Sequence, residues 1–192
     1  MIYIELYFFF YNMTSGTMEI TGEQQSVRTM DCPKEKKEIA MRILIIGGVA
    51  AGTKAAAKLK RENRSDEVLI LTKSQDISYA GCGLPYYVGD VIHEKSQLIV
   101  NTPQAFEKLT GAQVKTGVEV TALDREAKKV TAVDLETQEK AEYSYDKLVI
   151  AVGASPIVPP LEGLNLKNVF CMRTPQDAEA LRAAAETGTI KR

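Results

Sequence analysis

The sequence predicts an α/β fold in which a parallel sheet is followed by an antiparallel β-meander. Arg42–Ile46 is a continuous run of branched apolar residues, which is typical of a strand buried on both faces. A glycine turn, an alanine-rich helical segment and a second apolar run at Val68–Leu71 follow it, which predicts a β-α-β unit. The later alternation in VTAVDL and the polar stretch ETQEK after it indicate antiparallel strands.

Composition and charge exclude several classes of function. The chain has 192 residues, and its 24 Lys and Arg nearly balance 25 Asp and Glu, leaving a net charge of -1. Because no long basic run is present, nucleic acid is not expected as a partner. The three cysteines are widely spaced and include no CxxC pair. Neither a metal site nor a disulfide framework is therefore predicted, and a reducing cytoplasm is the expected location.

The first 40 residues differ from the remainder of the sequence. Their apolar start contains Glu5 and is shorter than the roughly 20 residues that a membrane helix needs. It also lacks the features of a signal peptide. Thr14–Ala40 is polar and aperiodic, whereas a clear strand pattern begins after Met41. We therefore predict that residues 1–40 are a disordered or non-native extension, that Met41 is the biological start, and that no membrane is involved.

The turn after the first strand has the character of a nucleotide-binding loop. Gly47 permits a tight turn, and Gly52 lets the helix pack closely on the strand, with its first N–H groups facing a pyrophosphate. Val49 stands where G-x-G-x-x-G has its second glycine, so the fingerprint is incomplete. The strand before it and the helix and strand after it supply the required context. Ala50 and Ala51 keep the approach open, although an ordinary β-α turn remains an alternative.

The end of the second strand departs from the usual nucleotide-binding pattern. A carboxylate commonly stands there and holds a ribose hydroxyl. Thr72 and Lys73 occupy that position in this chain. Thr72 can still hydrogen-bond a hydroxyl, and Lys73 can meet a phosphate. Nucleotide binding is predicted, but the affinity and the identity of the nucleotide stay open.

The segment SYAGCGLPYYVGD, Ser78–Asp90, places Cys82 between two glycines. A helix is predicted to begin near Cys82, with Pro85 in its first turn, where a missing N–H costs nothing. A helix N-terminus favours thiolate over thiol, and the glycines leave room for an approaching ligand. No second cysteine follows nearby, which excludes an internal disulfide cycle. A mixed disulfide with an outside thiol and a sulfenic acid both remain possible.

Three segments together are similar to one enzyme family. GGVAAGTKAAAKLKR, SYAGCGLPYYVGD and YDKLVIAVGASP at 145–156 resemble the N-terminal flavin domain of the single-cysteine pyridine nucleotide-disulfide oxidoreductases, in particular coenzyme A-disulfide reductases. The resemblance implies a Rossmann-like FAD-binding domain at 41–187. Residues 188–192 would begin an NAD(P)H-binding domain, so the fold is expected to be incomplete, lacking that domain and the dimerisation domain. We expect such a chain alone to be inactive.

The resemblance also implies a reaction. Cys82 would face FAD and form a mixed disulfide with coenzyme A, while NAD(P)H reduces the flavin and the flavin reduces that disulfide. Related FAD-dependent sulfur and persulfide reductases act on similar substrates. NADH oxidases and peroxidases use the cysteine as a sulfenic acid, but they carry a histidine at the position of Ala50. Such an oxidase or peroxidase is one alternative, and a truncated nucleotide-binding module without turnover is another.

Substrate contacts are implied at three positions. In the family, polar residues of the first helix and of the segment before the cysteine meet coenzyme A, which here indicates Lys58, Arg61 and Ser78. A solvated helix end explains the two cations equally well. His93 is interpreted as a surface residue. The full-length protein is expected to be a homodimer that acts on a small-molecule disulfide.

Further cofactor contacts are implied in the second half of the chain. Val120, in the segment GVEV, would meet the adenine through its backbone, although a core valine needs no such role. A buried parallel strand is predicted at Leu148–Val152, with Ala151 and Gly153 beside the cofactor. Cys171 is interpreted as a small core residue within an apolar strand pattern.

The remaining elements follow from capping signals and alternation. A helix at Pro103–Leu109 is predicted from Thr102 as its N-cap, and another helix is predicted to begin at Thr174. Four strand-like runs lie after the first of these helices: Gln113–Lys115, Val118–Asp124, Lys129–Leu135 and Ala141–Tyr145.

Overall fold

The computed structural model describes residues 40–164, 166 and 169–187. The predictions made for residues 1–39 and 188–192 lie outside these ranges. The helices and strands in chain order are β1 Arg42–Ile46, α1 Ala50–Glu62, β2 Glu67–Leu71, α2 Leu84–Val88, α3 Pro103–Thr110, β3 Gln113–Lys115, β4 Val118–Asp124, β5 Lys129–Asp134, β6 Lys140–Ser144, β7 Lys147–Ile150 and α4 Pro175–Glu186.

The first sheet is parallel and has the strand order β3-β2-β1-β7. Its strands pair in register, with Ile45 opposite Ile70 on one side and opposite Val149 on the other. Ile45 and Ile70 are fully buried, as expected for the centre of a sheet covered on both faces. The predicted α/β class is confirmed.

Two layers cover this sheet. On one face, Ala56 of α1 and Phe106 of α3 pack against Ile45 and Ile70. On the other face, Leu44 and Leu71 form a second apolar cluster with residues of the antiparallel sheet, whose strand order is β4-β5-β6. The predicted meander is therefore present, and its apolar side closes the core.

Two of the predicted strands differ from those in the structure by more than one residue at an end, or in their pairing. Gln113–Lys115, the first of the four strand-like runs, pairs in parallel with β2 and does not belong to the meander. The predicted strand Leu148–Val152 ends earlier, at Ile150. Where β7 ends beside β1, Ala151 N–H donates a hydrogen bond to the Ile46 carbonyl, 2.8 Å. β1 itself ends at Ile46, so the pairing goes no further.

The cysteine segment contains less α-helix than predicted. A 3₁₀ turn spans Gly81–Gly83, and α2 follows it with only five residues. Pro85 lies in the first turn of α2, as predicted. Cys82 therefore precedes the α-helix, and this helix of five residues contains few aligned peptide dipoles.

The two capping predictions are confirmed. Thr102 is the N-cap of α3, and its hydroxyl accepts a hydrogen bond from Ala105 N–H, 3.2 Å. Thr174 is the N-cap of α4, where it forms a capping box with Asp177. Among the helices of the described ranges, none has the length and apolarity needed to cross a bilayer.

The interpretation of Cys171 as a core residue is wrong. Its side chain is exposed, and the described residues around it form neither strand nor helix. The neighbouring Val169 and Met172 are also exposed, at 44% and 40%. An apolar run alone does not make a buried strand when no neighbouring strand pairs with it.

Candidate functional site

The turn between β1 and α1 depends on two glycines. Gly47 has φ of 107°, and a Cβ there would lie 2.2 Å from the Ala151 carbonyl oxygen. A Cβ at Gly52 would lie 1.8 Å from the Gly47 carbonyl oxygen. Any side chain at either position would displace backbone, so the close packing of α1 on β1 requires both glycines. The turn lies at the carboxyl edge of the parallel strands, where open α/β sheets bind their ligands.

The start of α1 is left free of side-chain capping. Val49 is the N-cap residue, it makes no side-chain hydrogen bond, and the first turn of this 13-residue helix carries no acidic residue. Its first N–H groups and its positive dipole end are therefore not neutralised by the chain itself. This arrangement fits a phosphate or pyrophosphate group.

A cavity of about 700 Å³ opens at this edge of the sheet. Its volume lies within the roughly 300–1,000 Å³ typical of small-molecule sites. Seven of the residues predicted to contact a cofactor line it: Gly47, Val49, Thr72, Lys73, Val120, Ala151 and Gly153. Ala50, Ala51 and Gly52 do not line it and instead form the first turn of α1.

A glutamate lies beside the two residues that replace the usual carboxylate. Thr72 is buried, its carbonyl accepts a hydrogen bond from Val118 N–H, 3.0 Å, and this brings the start of β4 next to the end of β2. Lys73 Nζ lies 3.6 Å from Glu119 Oε1, and both residues line the cavity. Glu119 therefore places a carboxylate near the position where β2 lacks one. The segment GVEV, which contains Glu119, is the sequence signal for this carboxylate.

The segment before α4 also reaches the cavity. Arg173 Nε donates a hydrogen bond to the Ala154 carbonyl, 3.1 Å, and a Cβ at Gly153 would lie 3.0 Å from the Arg173 guanidinium. Cys171, Arg173 and Asp177 all line the cavity. Sequence reasoning missed this wall, because 20 residues separate Gly153 from Arg173 and only the folded chain brings them together.

The Asp177 carboxyl, on the cavity wall, has a lowered pKa. Burial alone would raise this pKa. Hydrogen bonding to Thr174 and to the backbone N–H of Arg173 outweighs that effect, and the pKa lies below its ordinary value. The hydrogen bonds from Thr174 N–H and Arg173 N–H measure 2.8 and 3.0 Å. Asp177 therefore acts as a charged cap of α4 at neutral pH.

Cys82 is exposed and does not line the cavity, whereas Tyr79, three residues earlier, does. The segment is tied to the glycine turn by Ser78, whose N–H donates to the Gly48 carbonyl, 3.1 Å. Ser78 has φ of 48°, a conformation that non-glycine residues adopt infrequently. The hydrogen bond of Ser78 thus connects the cysteine segment to the nucleotide-binding edge of the sheet, although the Cys82 thiol itself lies outside the cavity.

The glycines beside Cys82 have different surroundings. A Cβ at Gly81 would meet no atom within 4 Å, which agrees with the space expected next to the thiol. Gly83 is buried, and a Cβ there would lie 2.8 Å from Leu98 Cδ2. Close packing against Leu98, rather than the need for room beside a ligand, explains why position 83 is occupied by glycine.

The predicted substrate cations contact their own helix. Lys58 Nζ forms an exposed ion pair with Glu62, 2.7 Å, and Arg61 Nε donates to the Ala57 carbonyl, 3.3 Å. Neither lines the cavity. His93 is exposed, with its Nδ1 3.2 Å from Asp90 Oδ1. Within the described residues, no group of three His, Cys, Asp or Glu side chains is arranged to hold a metal ion.

The fold, the glycine turn and the cavity define a nucleotide-binding α/β protein of the Rossmann type. The family model for pyridine nucleotide-disulphide oxidoreductases matches residues 41–190. The chain belongs to this family. It is a family of FAD-binding proteins that use NAD(P)H.

Three similar proteins illustrate the range of named activities. An NADH oxidase of Methanocaldococcus jannaschii is 34% identical over 79% of this chain and 34% of its own length. A coenzyme A disulfide reductase of Staphylococcus haemolyticus is 34% identical over 73% of this chain and 31% of its own length. The crystal structure of reduced Bacillus anthracis CoADR-RHD superposes with a TM-score of 0.77 at 33% identity, covering 79% of this chain and 28% of that one. The chain therefore spans about a third of the length of these relatives.

Proposed function

We propose that this chain binds FAD and carries the reactive thiol of an NAD(P)H-dependent reductase of coenzyme A disulfide, or of a related low-molecular-weight disulfide or persulfide. The observation that carries the proposal is the exposed Cys82, in a segment that the hydrogen bond from Ser78 N–H to the Gly48 carbonyl connects to the nucleotide-binding turn. The coenzyme A disulfide reductase of S. haemolyticus supports the choice of substrate class. The cytoplasm is the proposed location.

The residues of the cavity fit FAD. The uncapped start of α1 would hold the pyrophosphate, and Gly47 and Gly52 keep the backbone close enough to do so. The Thr72 hydroxyl and the Glu119 carboxylate would contact ribose hydroxyls. The backbone of Val120 would face the adenine, and Ala151 and Gly153 would line the opposite wall. When bound, FAD supplies the two-electron chemistry that links NAD(P)H to a disulfide.

Cys82 performs thiol-disulfide exchange in this proposal. Its thiolate attacks one sulfur of the substrate RS–SR, the S–S bond breaks, and a Cys82–S–S–R mixed disulfide forms while RS⁻ leaves and takes up a proton. Two electrons and a proton then restore the Cys82 thiolate and release the second thiol. The net reaction is NAD(P)H + H⁺ + RSSR → NAD(P)⁺ + 2 RSH. Lys58, Arg61 and Ser78 are the proposed substrate contacts, and a homodimer is the proposed state of the full-length protein.

An NADH oxidase or peroxidase is the second candidate, because more than one similar protein carries the name NADH oxidase. In that reaction hydrogen peroxide would oxidise the Cys82 thiolate to a sulfenic acid: the O–O bond breaks, one oxygen is transferred to sulfur and hydroxide leaves. The methyl group of Ala50, at the exposed start of α1, offers neither a proton nor a hydrogen bond to such a species. We therefore rank disulfide reduction first.

The test separates the two candidates by the product formed on Cys82. The chain is incubated with FAD and then with coenzyme A disulfide, or with hydrogen peroxide and a sulfenic-acid trap, and the Cys82 peptide is weighed by mass spectrometry. We expect a coenzyme A adduct on Cys82 and its loss in Cys82→Ser, with Cys171→Ser as the matched control that retains it. An adduct confined to Cys171, or efficient sulfenic-acid trapping without a coenzyme A adduct, would contradict the proposal.

A further inference from the structure

Helix α4 packs against the segment that carries Cys82. Leu84 of α2, Leu98 and Ala178 of α4 are 3%, 0% and 0% exposed and form one apolar cluster. Leu84 lies two residues after Cys82. The short helix after the cysteine thus has its buried side against α4.

Polar contacts fix the beginning of α4 to the same segment. Lys95 Nζ lies 2.9 Å from Glu179 Oε2 and 3.4 Å from Asp76 Oδ2. Gln176 Nε2 donates to Asp76 Oδ2, 2.7 Å. Asp76 precedes Cys82 in the chain and Lys95 follows it, so α4 is connected to both sides of the cysteine.

At the other end of α4, Arg182 contacts the loop that follows α2. The guanidinium of Arg182 lies 4.7 Å over the Tyr87 ring, and its side chain is only 18% exposed. Arg182 Nη1 donates to three backbone carbonyls, those of Tyr87 at 3.0 Å, Ile92 at 3.1 Å and His93 at 3.3 Å. Its Nη2 donates to Asp90 Oδ1 at 2.5 Å, and its Nε donates to Glu186 Oε1 at 3.0 Å.

These contacts matter because neither partner segment is stable by itself. A helix of five residues, such as α2, does not form without tertiary support. The loop after it contains Asp90 with φ of 58°, a left-handed conformation that surrounding contacts must maintain. A planar guanidinium can bind several carbonyls at fixed angles, which a lysine ammonium cannot reproduce.

We propose that Arg182 is a positioning residue for Cys82: it holds α2 and the loop 87–93 on α4, and thereby fixes the direction from which a disulfide meets the thiol. This inference rests on the proposed function of Cys82 as the nucleophile. Thiol-disulfide exchange needs an aligned approach of three sulfur atoms, whereas alkylation by a small reagent is less demanding in orientation. Arg182 should therefore affect the two reactions differently.

The experiment compares Arg182→Gln with the unchanged chain, well below the unfolding temperature of both. Two quantities are measured: amide hydrogen exchange of residues 84–93, and the ratio of the rate of coenzyme A adduct formation on Cys82 to the rate of its alkylation by iodoacetamide. We expect amide protection at 84–93 to fall about tenfold, with β1 unchanged, and the rate ratio to fall about threefold or more. Arg182→Lys should recover part of both effects.

Arg125→Gln, in the exposed turn between β4 and β5, is the matched control and should change neither quantity. If Arg182→Gln lowers the amide protection but leaves the rate ratio unchanged, Arg182 is only a structural residue and the inference is overturned. Unchanged protection overturns it as well. If the chain without substitutions forms no adduct on Cys82, the proposed function fails instead. The amide hydrogen exchange of residues 84–93 still shows whether Arg182 holds this segment. Should Arg182→Gln fail to fold, Arg182→Lys provides the same comparison.

Discussion

Among single residues, Glu119 shows how a missing group can be supplied from elsewhere in the chain. The carboxylate expected at the end of β2 is replaced by Thr72 and Lys73, yet the Glu119 carboxylate lies 3.6 Å from Lys73 Nζ on the cavity wall. Glu119 lies close to the end of β2 because β4 begins next to Thr72.

Substitution Glu119→Gln is expected to weaken FAD binding about fivefold to tenfold, because a hydrogen bond from a ribose hydroxyl to a charged acceptor is replaced by one to a neutral acceptor. The measurement is titration of FAD fluorescence quenching. Glu126→Gln, in the exposed β4–β5 turn, is the matched control, and equal affinities of Glu119→Gln and the unchanged chain would show that Glu119 does not contact the nucleotide.

The two glycines beside Cys82 form a natural matched pair. Gly83→Ala would place a methyl group 2.8 Å from Leu98 Cδ2 in a buried site, so we expect a loss of stability of about 1–3 kcal/mol from overpacking. Gly81→Ala meets no atom within 4 Å and should change stability by less than about 0.5 kcal/mol. Denaturant unfolding of both variants is the measurement. Equal stabilities would contradict the packing explanation of Gly83.

At the scale of elements, α4 is better fixed at its start than its sequence alone indicates. Thr174 and Asp177 form the capping box, and Asp177 also accepts a hydrogen bond from Arg173 N–H, 3.0 Å. This joins α4 to the strand-free segment that borders the cavity. The cap therefore contributes both to the helix and to the shape of the proposed cofactor site.

The capping box makes part of the stability dependent on pH. Because the pKa of Asp177 is lower in the folded chain, its contribution is fully present above the ordinary aspartate pKa and is lost as pH falls through the folded value. We expect Asp177→Asn to be less stable than the unchanged chain at pH 7 and the difference to shrink below about pH 4. Urea unfolding at a series of pH values measures it. A difference that stays constant down to about pH 2 would show that Asp177 does not act through its charge.

At the scale of the whole molecule, a long segment after β7 leaves apolar side chains in solvent. Ile157 is 93% exposed, Leu161 64% and Val152 66%. In the described part of 151–174 no strand or helix is present to bury them. Contiguous exposed apolar surface promotes association between molecules.

We therefore expect the chain to self-associate, and the double substitution Ile157→Ser with Leu161→Ser to reduce that association. Size-exclusion chromatography with light scattering measures it over a range of concentrations. Val91→Ser removes one apolar side chain that is 69% exposed at a distant point of the sequence, and serves as the control. The expectation would be contradicted if the chain without substitutions were monomeric. It would also be contradicted if that chain, the double variant and Val91→Ser associated equally.

Local pattern was sufficient for much of this protein. Branched runs, alternation and caps predicted β1, α3, β4 and the start of α4, because strand burial and helix capping depend on residues that are close in sequence. The glycine turn and the segment around Cys82 predicted the family for the same reason: each motif is contiguous. The lack of a second cysteine within the next several residues after Cys82 is equally local, and it predicts that no disulfide forms within this segment.

Other features depended on contacts between distant residues. The pairing of β3 with β2, the exposure of Cys171, the Glu119 carboxylate beside Lys73 and the Arg182 contacts to the loop after α2 join parts of the chain that sequence spacing does not relate. Residues that are close in sequence were enough to predict most of the elements and the positions of the thiol and the nucleotide turn. Which side chains surround them follows from the folded chain, because packing of the two sheets and α4 sets those neighbours.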